Sequence, residues 1–169
     1  MHFNLKILSL AQARQENLFG YHRIISITDP DQIKPDLGHL NAKEILQLSF
    51  HDVLGAGDNS IAFNDDHFLK IIDFHKNIRD DDDVMVHCHA GISRSSAVGI
   101  ILAIINKPKT PDQITKAFKD VLDLHPVMIP NQRVIAYCDH YLGLNNNLNQ
   151  ILTNFRQASD PFYLPLKFF

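Results

Sequence analysis

The stretch that decides the reading is Val84-Met85-Val86-His87-Cys88-His89-Ala90-Gly91-Ile92-Ser93-Arg94-Ser95. Val84 to Cys88 is apolar on both faces until it ends, which suits a central strand of a covered sheet. From Arg94 to Lys107 the chain is apolar nearly all round, so that helix lies inside the domain. The five residues between must turn sharply, and Gly91 permits backbone angles that other residues resist. Successive amides of residues 89–94 can then point inward as an anion nest. The helix adds its free N–H groups and the positive end of its dipole. Arg94 contributes a planar, two-pronged donor that matches phosphate oxygens. The outcome is a cup for a tetrahedral dianion with the sulfur of Cys88 at its base.

The same field favours the thiolate of Cys88 over the thiol, giving a nucleophile for in-line attack on phosphorus. Phosphoryl transfer depends mostly on positioning and on neutralising the equatorial oxygens, which the nest and Arg94 supply. No metal or cofactor is expected. His87, Cys88 and His89 are neighbours on a strand, so they face opposite sides and cannot all hold one ion. A nucleotide-binding loop of the Gly-Lys-Ser/Thr kind is excluded, because no such triplet follows.

Outward from this stretch, Leu5–Leu10, Arg23–Thr28 and Ile45–Phe50 read as short strands. Ser9 caps a helix expected from Leu10 to about Phe19. Val53 to Asn64 reads as a loop. Asn64 caps a helix with Asp65 and Asp66 in its first turn, the favourable sign for the dipole. On that helix Phe68, Ile71, Ile72, His75 and Ile78 form one buried stripe. Asp80 to Asp83 read as a solvated turn. Thr110-Pro111 opens another helix, with the hydroxyl as cap, and it ends at His125-Pro126. A last core helix spans about Asn131 to Leu142. Strands alternate with helices, so the expected fold is α/β: a mostly parallel sheet of about four to five strands with helices on both faces. Residues 1–145 form the domain and residues 146–169 a helical tail, whose Phe162, Tyr163, Phe168 and Phe169 would suggest association if exposed.

The chain has 169 residues, 45% apolar and 21% charged, with formal net charge −3. That is one ordinary globular domain, long enough to need no metal or disulfide staple. The charge and a pI near 6.3 argue against a nucleic-acid partner. Cys88 and Cys138, the two cysteines, make no disulfide framework and no zinc or redox pair. A reducing, cytoplasmic setting is the simplest expectation. The longest apolar run, Ala97 to Ile105, is less than half of the roughly 20 residues a membrane helix needs. Residues 1–13 end in Ala11-Gln12-Ala13, which mimics a signal cleavage site, but Lys6 interrupts the apolar stretch and no basic block leads it.

The signature from His87 to Ser95 resembles that of the cysteine-dependent protein tyrosine phosphatases. Its His-Cys-x-x-Gly-x-Ser-Arg-Ser form looks most like the dual-specificity branch. Phe50-His51-Asp52, the Ala90-to-Ser95 core and Pro130-Asn131-x-Arg133 are similar to a small bacterial tyrosine-phosphatase-like family. The likeness covers roughly residues 20–145. It implies hydrolysis of phosphomonoesters, foremost phosphotyrosine in proteins, through a cysteinyl-phosphate. Phosphoinositides, inositol phosphates, nucleotides or non-catalytic phosphate binding are the alternatives. It also implies that His87 supports the cysteine backbone, and that residues 89–94 (His89, Ala90, Gly91, Ile92, Ser93, Arg94) bind phosphate. Ser95 would donate to the departing thiolate, and Asn131 would steady the signature loop, although a plain N-cap explains Asn131 equally well.

The leaving oxygen needs a proton, and the related enzymes take it from an upstream aspartate. Asp52, which follows a strand and is therefore aimed at the carboxyl end of the sheet, is preferred; Asp58, in mid-loop, is the alternative. The chain has no Trp, so the Trp-Pro-Asp motif of the tyrosine-specific branch is missing. Cys138 reads as packing, Arg133 as a surface residue or an aid in placing water or substrate. The remaining histidines, His67, His75 and His125 among them, have no partner at ligand spacing.

Overall fold

The computed structural model of the chain describes residues 2–16, 20–55, 57 and 59–159. Four strands form one all-parallel sheet: β1 (Asn4–Ser9), β2 (Arg23–Thr28), β3 (Glu44–Ser49) and β4 (Asp83–Cys88), in the order β1-β4-β2-β3. β2 is buried along its whole length and β4 from Val84 to Cys88, as inner parallel strands covered on both faces should be. Their carboxyl ends share one edge of the sheet, the edge where open α/β sheets bind ligands.

The two faces are covered unequally. On one, α2 (Asp65–Lys76), α3 (Arg94–Ile104), α4 (Pro111–Leu124), α5 (Gln132–Tyr141) and α6 (Asn147–Ser159) enclose a core that includes Ile25, Ile27, Val84, Val86, Ile100 and Val134. On the other, the short α1 (Leu10–Gln15) and a 3-10 turn at Gly38–Leu40 accompany a small cluster of Leu8, Ala13, Ile24, Leu37, Leu40 and Met85. Helix α1 starts where expected, with a Ser9–Gln12 capping box. It stops at Gln15, short of the expected end; Phe19 lies outside the described residues.

Every residue of α3 is buried. Gly99 brings the helix close to β1: a Cβ there would lie 2.8 Å from Ile7 Cδ1. The helix ends at Ile104 rather than Lys107, where the Lys109 ammonium donates to the Ile104 and Ile105 carbonyls at 2.8 and 2.7 Å. A cation at this end offsets the negative pole of the dipole. The Thr110 hydroxyl makes no capping bond to α4, contrary to expectation, but Pro111 does occupy the first turn.

The acidic turn is not solvated throughout. Asp82 is buried, not solvated: it accepts from Arg23 Nε and from the Arg79 amide, each at 3.0 Å. Burial opposes its charge, but these donors win and hold its pKa below the ordinary value. Arg23 also pairs with Glu44, so a cation at the start of β2 draws two acidic residues to the end of the sheet opposite Cys88. Helix α6 is fastened by a second buried aspartate. Asp139 on α5 accepts from the Asn146 and Asn149 amides at 2.7 and 2.8 Å, while Leu148 and Leu152 join the core. Phe162, Tyr163, Phe168 and Phe169 lie outside the described residues. No helix among the described residues is long and apolar enough to cross a membrane.

Candidate active site

β4 ends at Cys88, residues 89–93 curl, and Arg94 opens α3. The curl passes so close to β1 that only glycine fits at its tightest point. Gly91 has φ +78°, and a Cβ on it would lie 2.5 Å from the Ser9 nitrogen. Four of the five loop carbonyls are held by neighbouring groups. His89 O accepts from Leu10 N at 3.1 Å, Gly91 O from His125 Nε2 at 2.8 Å and Ile92 O from Ile129 N at 3.0 Å. Ser93 O accepts from Asn131 N at 3.3 Å and from the Ser96 hydroxyl at 2.9 Å. With those carbonyls engaged elsewhere, the intervening amides are left to serve a ligand. Among the described residues, the amides of His89, Ala90, Ile92, Ser93 and Arg94 have no acceptor, as an anion nest requires.

The sulfur sits inside this curl. Gly91 N donates to Cys88 Sγ at 3.3 Å, and Ser95 Oγ lies 3.2 Å from it. Behind the strand, His87 Nε2 meets Ser26 Oγ at 2.9 Å on β2. Its Nδ1 is buried without a hydrogen-bond partner among the described residues, so the partner of His87 is Ser26. Burial pushes the His87 pKa down to about 4, only partly offset by the Cys88 backbone. The imidazole is therefore neutral near pH 7. Cys138, fully buried among apolar side chains, has its thiol pushed up by that burial, which leaves it unreactive.

Arg94 is buried and held by one corner. Its Nη1 donates to Asp29 Oδ1 at 2.6 Å and to Phe50 O at 2.7 Å, and its guanidinium lies 6.0 Å from the Phe50 ring centroid. Nε is buried without a partner among the described residues. Anchoring Nη1 thus leaves the Nε–Nη2 edge, the pair that matches two oxygens of one phosphoryl group.

Asp52 lies beside the curl, between Ser93 and Asn131. Its Oδ1 accepts from Ser93 Oγ at 2.8 Å and from Asn131 Nδ2 at 2.7 Å. Asn131 Oδ1 meanwhile caps α5 by accepting from Val134 N, so one side chain serves the helix and the Asp52 carboxylate together. The loop carrying Asp52 is pinned at its base. Phe50 and Phe63 are buried and meet edge to face at 5.1 Å. His51 N donates to Ile61 O at 2.7 Å, and Ile61 N donates back to His51 Nδ1 at 3.0 Å. Arg133 Nε donates to Phe63 O at 2.6 Å, so Arg133 ties this loop to α5. Asp58 lies outside the described residues.

Two residues at the site were not singled out in the sequence. Asp29 could have been, because it follows β2 as Asp52 follows the neighbouring β3, and both strands end on the Cys88 edge. His125 carried no sequence signal; its contact with Gly91 comes only from the packing of α4 beside the loop. Among the described residues, no group of three or more His, Cys, Asp or Glu side chains is placed to hold a metal ion. An open groove of about 710 Å³ lies apart from the cup, between the start of α2, α5 and the turn into α6, lined by Asp65, Arg133, Tyr137, Tyr141 and Asn149 among others. Volume is no guide to this site, because a single tetrahedral dianion needs only a small seat.

The family model for protein-tyrosine phosphatase matches residues 41–142. That is more than half of the chain, and the chain belongs to this family. It is a cysteine-dependent phosphatase by that membership. Its fold is similar to the crystal structure of human DUSP28, with TM-score 0.53 and 18% identity over 92% of this chain and 95% of that one. DUSP15 gives TM-score 0.54 and 16% identity over 89% and 96%. Tk-PTP in the active form gives 0.51 and 12% over 88% and 91%. At these identities the likeness is one of fold, shared with small dual-specificity phosphatases. No curated protein matches the chain by sequence.

Proposed function

We propose that the chain hydrolyses phosphotyrosine in proteins through a cysteinyl-phosphate intermediate. The observation that carries this reading is the seat around Cys88: amide and hydroxyl donors on the sulfur, loop carbonyls engaged elsewhere, and Arg94 held by one corner with its other edge free. Cys88 Sγ attacks phosphorus as the ester P–O bond breaks. The amides of residues 89–94 and the Nε–Nη2 edge of Arg94 take the charge of the equatorial oxygens. Asp52 gives its proton to the leaving oxygen. Its Oδ1 already holds two donors, which leaves Oδ2 to carry that proton. Asp52 then takes a proton from water, the water oxygen bonds to phosphorus, and the S–P bond breaks. Ser95 donates to the thiolate that departs. His87 steadies β4 behind the cysteine.

Residues 1–145 form the phosphatase domain, to which residues 146–169 add the segment containing α6. The two cysteines, without a disulfide framework, fit a cytoplasmic setting, and the short motifs around Asp52 and Asn131 fit a bacterial source.

The test is hydrolysis of p-nitrophenyl phosphate and of a phosphotyrosine peptide by wild type, Cys88→Ser and Asp52→Ala. Cys88→Ser should abolish both activities. Asp52→Ala should slow the peptide by at least about 100-fold, and p-nitrophenyl phosphate less, because its leaving group needs less protonation. Turnover that survives Cys88→Ser would refute the covalent route. Equal loss on both substrates would remove Asp52 as the acid.

A further inference from the structure

Four loops meet at the site, the 89–93 curl that forms the cup and three around it. Loop 29–37 touches Arg94 through Asp29, loop 50–63 touches Ser93 through Asp52, and loop 125–131 touches Gly91 and Ile92 through His125 and Ile129. Loops 29–37 and 50–63 also approach each other, with His51 Nε2 3.9 Å from Asp31 Oδ1. Among the described residues eight large hydrophobic side chains are exposed, and five of them lie on three of these loops. They are Ile33 (95% exposed), Leu54, Ile61, Val127 and Ile129. Exposed apolar side chains scattered singly need no explanation, but a concentration around one site marks a contact surface.

The charges on the same loops are equally specific. Lys34 is the one lysine or arginine in residues 29–37, 50–63, 89–93 and 125–131, against Asp29, Asp31, Asp36 and Asp52 among the described residues. Beyond Lys34 a second phosphate meets no lysine or arginine on these loops, and an acidic peptide meets mostly like charge. One dianion is welcomed at the centre, and apolar groups are welcomed around it.

We infer that this rim selects phosphotyrosine segments whose flanking residues are apolar; the inference rests on the phosphotyrosine reading above. Covering one such side chain is worth roughly a tenfold gain in kcat/KM. Selection comes from the rim rather than the cup, so it should vary independently of the chemistry.

The experiment measures kcat/KM on three phosphotyrosine peptides of equal length, flanked by Leu and Val, by Ser and Gly, or by Asp and Glu. Vesicles of phosphatidylcholine containing a phosphatidylinositol monophosphate form a fourth arm. The expected order is apolar, then small polar, then acidic, with at least about tenfold between first and last, and the vesicles slower than the apolar peptide. In the double variant Ile33→Ser, Val127→Ser, the ratio of apolar to small-polar peptide should fall toward one. Because the ratio is taken within one enzyme, any general loss of activity cancels. Equal rates on all three peptides, a ratio unchanged in the double variant, or fastest turnover on the vesicles would each overturn the inference. Such a result, with p-nitrophenyl phosphate still turned over by wild type and not by Cys88→Ser, overturns the rim alone. Loss of that turnover overturns the phosphatase chemistry beneath it as well.

Discussion

Replacing Asp29 by Ala removes the carboxylate that fixes Nη1 of Arg94 and leaves Phe50 O as the remaining acceptor. A hydrogen bond to a charged group contributes about 1.5–3 kcal/mol. The Asp29 side chain is 24% exposed, which places the loss near the lower end, about 1.5–2 kcal/mol. If that loss falls on the transition state, kcat drops about 10- to 30-fold. The ground state should behave differently. Without Asp29 the guanidinium charge facing the substrate dianion is less neutralised, so KM should stay level or fall. Asp29→Asn keeps an acceptor in the same place without its charge, and a neutral hydrogen bond is about half as strong. Its kcat should fall only about three- to fivefold. Steady-state kinetics on p-nitrophenyl phosphate, with circular dichroism to confirm folding, give the answer. A kcat for Asp29→Ala within twofold of wild type would refute the argument, because Arg94 would then hold its orientation without the carboxylate. A rise in KM with unchanged kcat would refute it too, placing Asp29 in binding alone.

Other outcomes follow from the same site. His125→Ala should lower kcat/KM about five- to tenfold, the worth of one hydrogen bond to the Gly91 carbonyl, and His125→Gln, which can return a donor there, should recover most of it. Gly91→Ala should cost at least about 100-fold in kcat/KM, because the new Cβ would lie 2.5 Å from the backbone of Ser9 at φ +78°; near-normal activity would show that the curl is pliable. His87 makes stability depend on pH. Its folded pKa of about 4 lies below its ordinary 6.5, so the unfolded chain binds a proton that the folded chain refuses. Stability from this group is whole above pH 6.5 and is lost progressively as the pH falls toward 4, by about 3 kcal/mol in all. Urea midpoints at pH 7, 5.5 and 4.5 should fall more steeply for wild type than for His87→Gln, and parallel slopes would contradict the assignment.

Much of the site was legible because its logic is local. The apolar run Val84–Val86, the cysteine, Gly91 and the apolar helix after Arg94 dictate a strand, a curl and a buried helix within about twenty consecutive residues. The place of Asp52 beside the curl was legible from its position just after a strand. What escaped depends on pairings between distant segments. Asp82 sits in a run of four acidic residues that reads as solvated, yet Arg23 on another strand draws it inside. The uneven cover of the sheet was also hidden. Periodicity tells that a helix has an apolar face, but not which side of the sheet it meets. His125 and Asp29 act through contacts spanning 34 and 65 positions, and no pattern in their neighbourhoods announces the partner.

The ties of the curl have a consequence for how the protein comes off the ribosome. Its carbonyls are gripped by Leu10 on one side and by His125, Ile129 and Asn131 on the other. Synthesis delivers the nucleophile more than forty residues before the last of those clasps. A nascent chain paused between Cys88 and Asn131 therefore carries the sulfur without its finished cradle. Hydrolytic competence arrives late in translation, once the final clasp has emerged and docked.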